Sequence, residues 1–253
     1  KAQPSIATDK HALAVLLYEL LLQRHPLQGK RVNSTRSAEE DEQLSMGAKA
    51  LFVEHPTDRR NPSVKAIEVA CTRLGPALTH CFTQTFVHGL HAPSQRADAA
   101  EWEVALYKTM RHLFPMSSGK WTILGKGLPM TSLRGDERTA TPVLTAELHQ
   151  DTGDKVISEQ DSLVLWHHLT LHDWHLLVGA LPDERADRAA RGYVAQHQGK
   201  WWLVNTSDVP WYILDGDTDV LVGRNAPVEC IVGRRVRIGN ARPARVLRFD
   251  ALR

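Results

Sequence analysis

Residues 165–175, LWHHLTLHDWH, carry the densest run of side chains able to coordinate a metal. His168 and His172 stand four apart and His175 three further on. On a helix those spacings share a face, and neutral imidazoles are good zinc ligands. The same stretch alternates as a strand around Leu169, Leu171 and Trp174, which would scatter the rings. No HExxH pattern accompanies them, so surface or partly buried histidines are the favoured reading. PMSSGKW and GLPMTS have the layout of two knuckles of a small zinc ribbon, but Met116 and Met130 stand where cysteines would. No metal site is expected. Cys71, Cys81 and Cys230 are scattered, with no CxxC, and imply neither a disulfide framework nor a zinc ribbon. GKGLPM at 125–130 is not the phosphate-cradling GxxxxGK[ST] pattern. No catalytic residue and no cofactor is assigned within the chain.

Charge narrows the classes further. Arg234, Arg235, Arg237, Arg242, Arg245 and Arg248 make the C-terminus basic, a pattern that could touch nucleic acid or a phosphorylated partner. Asp215, Asp217, Asp219 and Asp250 lie close in sequence, so a mixed-charge strand surface is the better account. The formal net charge of the 253 residues is +2, which gives no strong field toward nucleic acid or membrane. Hydrophobic content of 42% supports a sizeable core. No signal peptide or membrane span is read, and a reducing cytoplasm is the expected compartment.

The elements that would position such residues fall into two grammars. Thr8 to Arg24, TDKHALAVLLYELLLQR, is apolar around its whole circumference from Ala12 to Leu22, which predicts a helix buried on every side. At about 25 Å it is too short for a membrane span. Thr8 is the expected N-cap, and His25-Pro26 the stop. Packing partners for so apolar a helix near Lys1 would come in part from chain that is absent. Ser37-Ala38-Glu39-Glu40 predicts a capped helix from about Ala38 to Leu51. Leu78 to Gly89 and Ala99 to Leu113 carry three-and-four periodicity. The first 114 residues therefore read as all-helical.

These motifs resemble part of a known family. TDKHALAVLLYELLLQRHPLQG is similar to the long central helix of a protein-kinase C-lobe, following the Ala-Pro-Glu motif. Asp9 matches that helix's leading aspartate, which in kinases bonds the catalytic-loop backbone. GLHAPSQRADAAEWEVAL resembles the last kinase subdomain: Arg96 matches the arginine that pairs with the Ala-Pro-Glu glutamate, and Trp102 follows in step. EEDEQLSMGAKALFVEHPTDRRNP narrows the likeness to bacterial kinase-like proteins of tellurium-resistance-like gene clusters. The resemblance implies a Ser/Thr kinase platform, with ATP and magnesium held by an upstream N-lobe and catalytic loop. The glycine-rich loop, strand lysine and two aspartates of a kinase have no counterpart here, so this chain alone is not expected to transfer phosphate. Asp9, Arg96 and Trp102 would be structural residues. Read singly, Asp9 is a helix-capping charge and Arg96 a loop cation.

Pro115 to Asp154 reads as a linker holding short strands such as Lys120 to Leu124. From Lys155 short β runs follow, at 163–166, 174–179, 193–195, 201–204, 211–214, 220–222, 228–232, 236–238 and 246–249, as in a sandwich or barrel. GYVAQHQGKWWLVNTSDVPWYIL followed by VECIVGRRVRIG resembles a forkhead-associated (FHA) domain, a phosphothreonine-binding sandwich. Arg191 stands within its Ser-Arg-x-His position, and Asn205-Thr206-Ser207 within its next motif, where Val209-Pro210 replaces Asn-Gly. The resemblance implies phosphopeptide contacts from Arg191, Asn205 and Ser207, while a β-sandwich used for packing or protein contact is the plainer reading. The fold class expected is α+β in two domains: kinase-like helices over 1–114, a linker over 115–154 and an FHA-like sandwich over 155–253. The function expected is a C-lobe platform plus a protein-binding domain, with a protein partner, phosphorylated or unmodified, no membrane and no nucleic acid. The rival is a non-catalytic pseudokinase scaffold.

Overall fold

A computed structural model describes residues 5–32, 37–125, 128, 133, 136 and 143–252. The chain is α+β and separates into two compact units, Lys1–Thr109 and Met110–Arg253. The division falls at Thr109, five residues before the expected boundary. Among the described residues no helix is long and apolar enough to cross a membrane.

The first unit is helical. Helix α1 (Ile6–Leu22) starts three residues earlier than expected, because Ser5 rather than Thr8 is its N-cap and accepts from the Thr8 N–H. It is not wrapped. Ala14, Tyr18 and Leu22 are buried, whereas Leu16 and Leu20 are 64% and 70% exposed. Composition states what a helix can bury; its neighbours decide which stripe is covered. The core forms around Tyr18, with Phe52, Phe82 and Phe86 within 5.9 Å of its ring centroid, and Trp102 packs on Phe82 at 4.9 Å. Edge-to-face packing of this kind suits the ring quadrupoles. Helix α2 (Ala38–Ser45) has the expected Ser37 cap but ends six residues before Leu51. Helix α3 (Pro76–Thr83) continues into a π turn, Gln84–His88, and α4 spans Ala99–Met110.

The second unit is antiparallel β. Strands β1 (Leu113–Pro115) and β2 (Trp121–Ile123) form a hairpin. Next come β3 (Leu144–Asp151), β4 (Val156–Val164), β5 (Thr170–Leu171), a short helix α5 (Asp173–Leu176), β6 (Gly192–His197) and β7 (Lys200–Asn205). They are followed by β8 (Trp211–Ile213), β9 (Val220–Val222), β10 (Pro227–Glu229), β11 (Arg235–Ile238) and β12 (Ala244–Ala251). One sheet runs β4-β3-β12-β11-β8-β9 and the other β10-β7-β6-β5. Leu144, Ala146, Leu148, Val236, Leu247 and Phe249 of the first share one core with Leu171, Val194, Trp201, Leu203 and Val228 of the second. Two sheets facing one core make a sandwich.

Two expectations are corrected here. Residues 144–151 are not linker: β3 pairs with β4 on one side and along its whole length with β12 on the other. Residues 174–179 are not a strand. The His172 backbone N–H donates to His175 Nδ1 at 3.1 Å, and this local side-chain bond holds the segment in a helical turn.

Candidate functional site

Arg191 and the 205–207 segment meet at one end of the four-stranded sheet. Gly192 at the head of β6 pairs in register with Asn205 at the foot of β7. One residue beyond each, the Thr206 N–H donates to the Arg191 carbonyl at 3.0 Å, and the Thr206 hydroxyl to the Ala190 carbonyl at 3.3 Å. Pairing of β6 with β7 thus brings Arg191 beside Thr206 and Ser207.

Their side chains are engaged inside the fold. Asn205 is fully buried and uses its whole carboxamide. Its Nδ2 donates to the Val209 and Val222 carbonyls at 2.9 and 3.3 Å. Its Oδ1 accepts from the Ser207 N–H and hydroxyl, both at 2.9 Å. Asn205 and Ser207 therefore brace the turn into β8 and do not face outward, a correction to their expected role as ligand contacts. Arg191 is half-buried and meets the Asp173 carboxylate through Nε and Nη2, both at 2.9 Å. Its Nη2 also reaches Asp187 at 2.6 Å. The bond to Asp173 raises the Arg191 pKa despite its partial desolvation. The Ala189 N–H, with Arg191 behind it, holds the Asp187 carboxyl below the usual range. The guanidinium is thus in the bidentate geometry that suits an oxyanion, with two carboxylates of the same unit supplying it. Asp173 and Asp187 were missed in the sequence; the four-residue spacing of Asp187 and Arg191 was the available signal.

The histidine triplet separates. His172 and His175 cap α5, with ring centroids 5.9 Å apart, while His168 lies on the turn before β5. Burial, with His172 and Arg111 nearby, pulls the His175 pKa down to about 3. Among the described residues no group of three or more His, Cys, Asp or Glu could hold a metal. Met130 lies outside the described residues. The cysteines are buried and free. Burial pushes the Cys71, Cys81 and Cys230 thiols up to about 12, 11 and 12, so each stays a protonated thiol at neutral pH.

In the helical unit, Asp9 is exposed in the first turn of α1. Arg96 donates to three backbone carbonyls: Gly89 at 2.8 Å, Ala7 at 2.7 Å and Leu90 at 3.0 Å. It thereby ties the 89–98 loop to the start of α1, in place of the glutamate partner that the kinase resemblance implies. Trp102 is buried. A polar centre that the sequence reading missed lies at the foot of α1. There Glu54 accepts from the Tyr18 hydroxyl, the Arg24 guanidinium and the Cys71 N–H. Burial first, then the Glu54 carboxylate, raises the Tyr18 pKa.

In comparisons with known proteins, no family model, no curated protein and no solved structure matches the chain.

Proposed function

We propose that the chain is the non-catalytic part of a kinase-like signalling protein, a C-lobe-like helical platform joined to an FHA-like sandwich that binds a protein partner. The observation that carries the reading is the half-buried Arg191 guanidinium at one end of an antiparallel sandwich, bidentate on Asp173 and reaching the more exposed Asp187. Arg96 adds support, since it stands at the kinase-like position and secures the first turn of α1. ATP and magnesium chemistry would belong to the catalytic half of such a kinase, and no residue of this chain is assigned to it. A phosphorylated partner would approach Arg191 by displacing Asp187, whose salt bridge is the more exposed of the two.

The test is a titration of phosphothreonine peptides against wild type, Arg191→Ala and Asp187→Asn. Binding that strengthens in Asp187→Asn and vanishes in Arg191→Ala supports the reading. Absence of binding in all three removes the phosphopeptide function and leaves an unmodified protein surface as the partner.

A further inference from the structure

The six-stranded sheet ends at β9, whose neighbour among the described residues is β8. An edge strand leaves a row of backbone N–H and C=O groups able to pair with another strand. The other edges of the two large sheets carry devices against that. β4 breaks its register opposite Leu148 and His149, with Gln160 at φ 53°. β10 opens on Pro227, and β5 is two residues long. β9 pairs with β8 in unbroken register and contains no proline. It also carries aliphatic side chains in the open: Val220 is 57% and Leu221 63% exposed. The apolar fringe continues at the partly exposed Val209, whose carbonyl shares the Asn205 amide with that of Val222.

We infer that β9 is where two copies of this chain join, edge to edge and antiparallel, about a two-fold axis at Leu221. The charge order of the segment identifies the occupant as a second copy. Asp217-Thr218-Asp219-Val220-Leu221-Val222-Gly223-Arg224 is acidic at its start and basic at its end. Two-fold antiparallel pairing makes such an order complementary to itself. It sets Val220 against Val222 of the second copy and Thr218 against its Arg224, with Asp217 and Asp219 on either side of Thr218. The same contact forms at both ends at once. Residues 215–221 are exposed throughout, so the strand and its acidic flank are open to a second strand. Arg224 meets Asp208 at 2.9 Å, but these side chains are 60% and 88% exposed, and so exposed a pair contributes little that exchange would lose. Asp219 keeps its contact with Arg237 at 2.8 Å. Two short strands and their flanks bury less than the roughly 1,200 Å² of a standard interface, so the dimer is weak, with a Kd of about 0.1 mM.

The experiment is sedimentation equilibrium of the full chain from about 10 µM to about 1 mM, with wild type expected to pass from monomer to dimer. Leu221→Lys changes an exposed side chain and should keep the wild-type circular dichroism spectrum, yet stay monomeric. Arg224→Asp and Asp217→Arg each set like charges together at both ends of the pair, and each alone should weaken self-association about tenfold or more. Mixed in equal amounts, the two variants restore opposite charges at both ends and should pair within about threefold of the wild-type affinity. Hydrogen exchange at 220–222 should slow as wild-type concentration rises. A chain still monomeric at about 1 mM, a dimer indifferent to Leu221→Lys, charge variants that fail to pair on mixing, or exchange at 220–222 that ignores concentration would each overturn the assignment.

Discussion

Replacing Glu54 tests whether a buried carboxylate, and not the leucine run, anchors α1. The Glu54 side chain is 8% exposed and its partner Arg24 18%. Three donors converge on it: the Tyr18 hydroxyl, Arg24 Nη2 and, at 2.8 Å, the Cys71 N–H. Arg24 keeps other partners, the Val69 carbonyl at 2.8 Å and the Leu22 carbonyl at 3.3 Å. Breaking a buried pair from one side costs about 3–5 kcal/mol, because the remaining charge is left uncompensated. Since Arg24 retains those carbonyls, the lower end applies, about 3 kcal/mol for Glu54→Ala. Glu54→Gln keeps the volume and one accepting oxygen but turns an NH2 toward the Cys71 N–H, and should lose about 2 kcal/mol. Tyr18→Phe alone should cost about 1 kcal/mol, and its cycle with Glu54→Ala should show a coupling of about 1 kcal/mol. Hydrogen exchange read by mass spectrometry on the full chain isolates the helical unit through peptides covering 6–22 and 71–83. Exchange there should speed up about a hundredfold in Glu54→Ala, at 1.36 kcal/mol per factor of ten. An increase under fivefold, or equal effects of Ala and Gln, would refute the anchoring role.

Three further outcomes follow from the sandwich. His175 is neutral in the fold, with its pKa lowered from 6.5 to about 3, so the unfolded chain binds its proton first. Stability should therefore be full above pH 6.5 and fall as pH drops toward 3, by about 2 kcal/mol after allowance for partial exposure; urea midpoints against pH should show a shallower slope in His175→Gln. At Gly192 a Cβ would sit 2.6 Å from the Val204 carbonyl oxygen and 2.7 Å from the buried Trp211 ring. Gly192→Ala should cost about 2 kcal/mol and lower Tm by roughly 6 °C in a thermal melt. Arg245, 2% exposed, pairs with Glu159 at 2.5 Å and donates to the Leu177 carbonyl. Arg245→Met should destabilise by about 3 kcal/mol, and adding Glu159→Gln should return at least 1 kcal/mol, seen as a recovered urea midpoint.

Much of the element plan was legible. The Ser37 cap, the stop before Pro26 and the runs at 193–195, 201–204, 211–214 and 236–238 are set by local side-chain chemistry and by period-two patterning, which act within a few residues. The inward alternation Leu144, Ala146, Leu148 was also present in β3, but the Gly-, Thr- and Pro-rich flank outweighed it. Helical capping at His172 and His175 opposed a strand-like pattern and won, because a local side-chain bond to the backbone offers that backbone an alternative to a sheet ladder.

What the sequence by itself determined was two grammars, helical then β, and the presence of an arginine at 191 and an Asn-Thr-Ser run at 205–207. Only the tertiary structure decided what those residues face. Which stripe of α1 is covered, whether Arg191 meets solvent or two carboxylates, and that Asn205 spends its whole amide on Val209, Val222 and Ser207 depend on contacts between segments far apart in the chain. The surroundings of His168 are the clearest case: Phe114 comes from β1, Trp166 from the turn after β4, and Gln196 and Trp201 from β6 and β7, and it is packing between strands of different sheets that brings those side chains together.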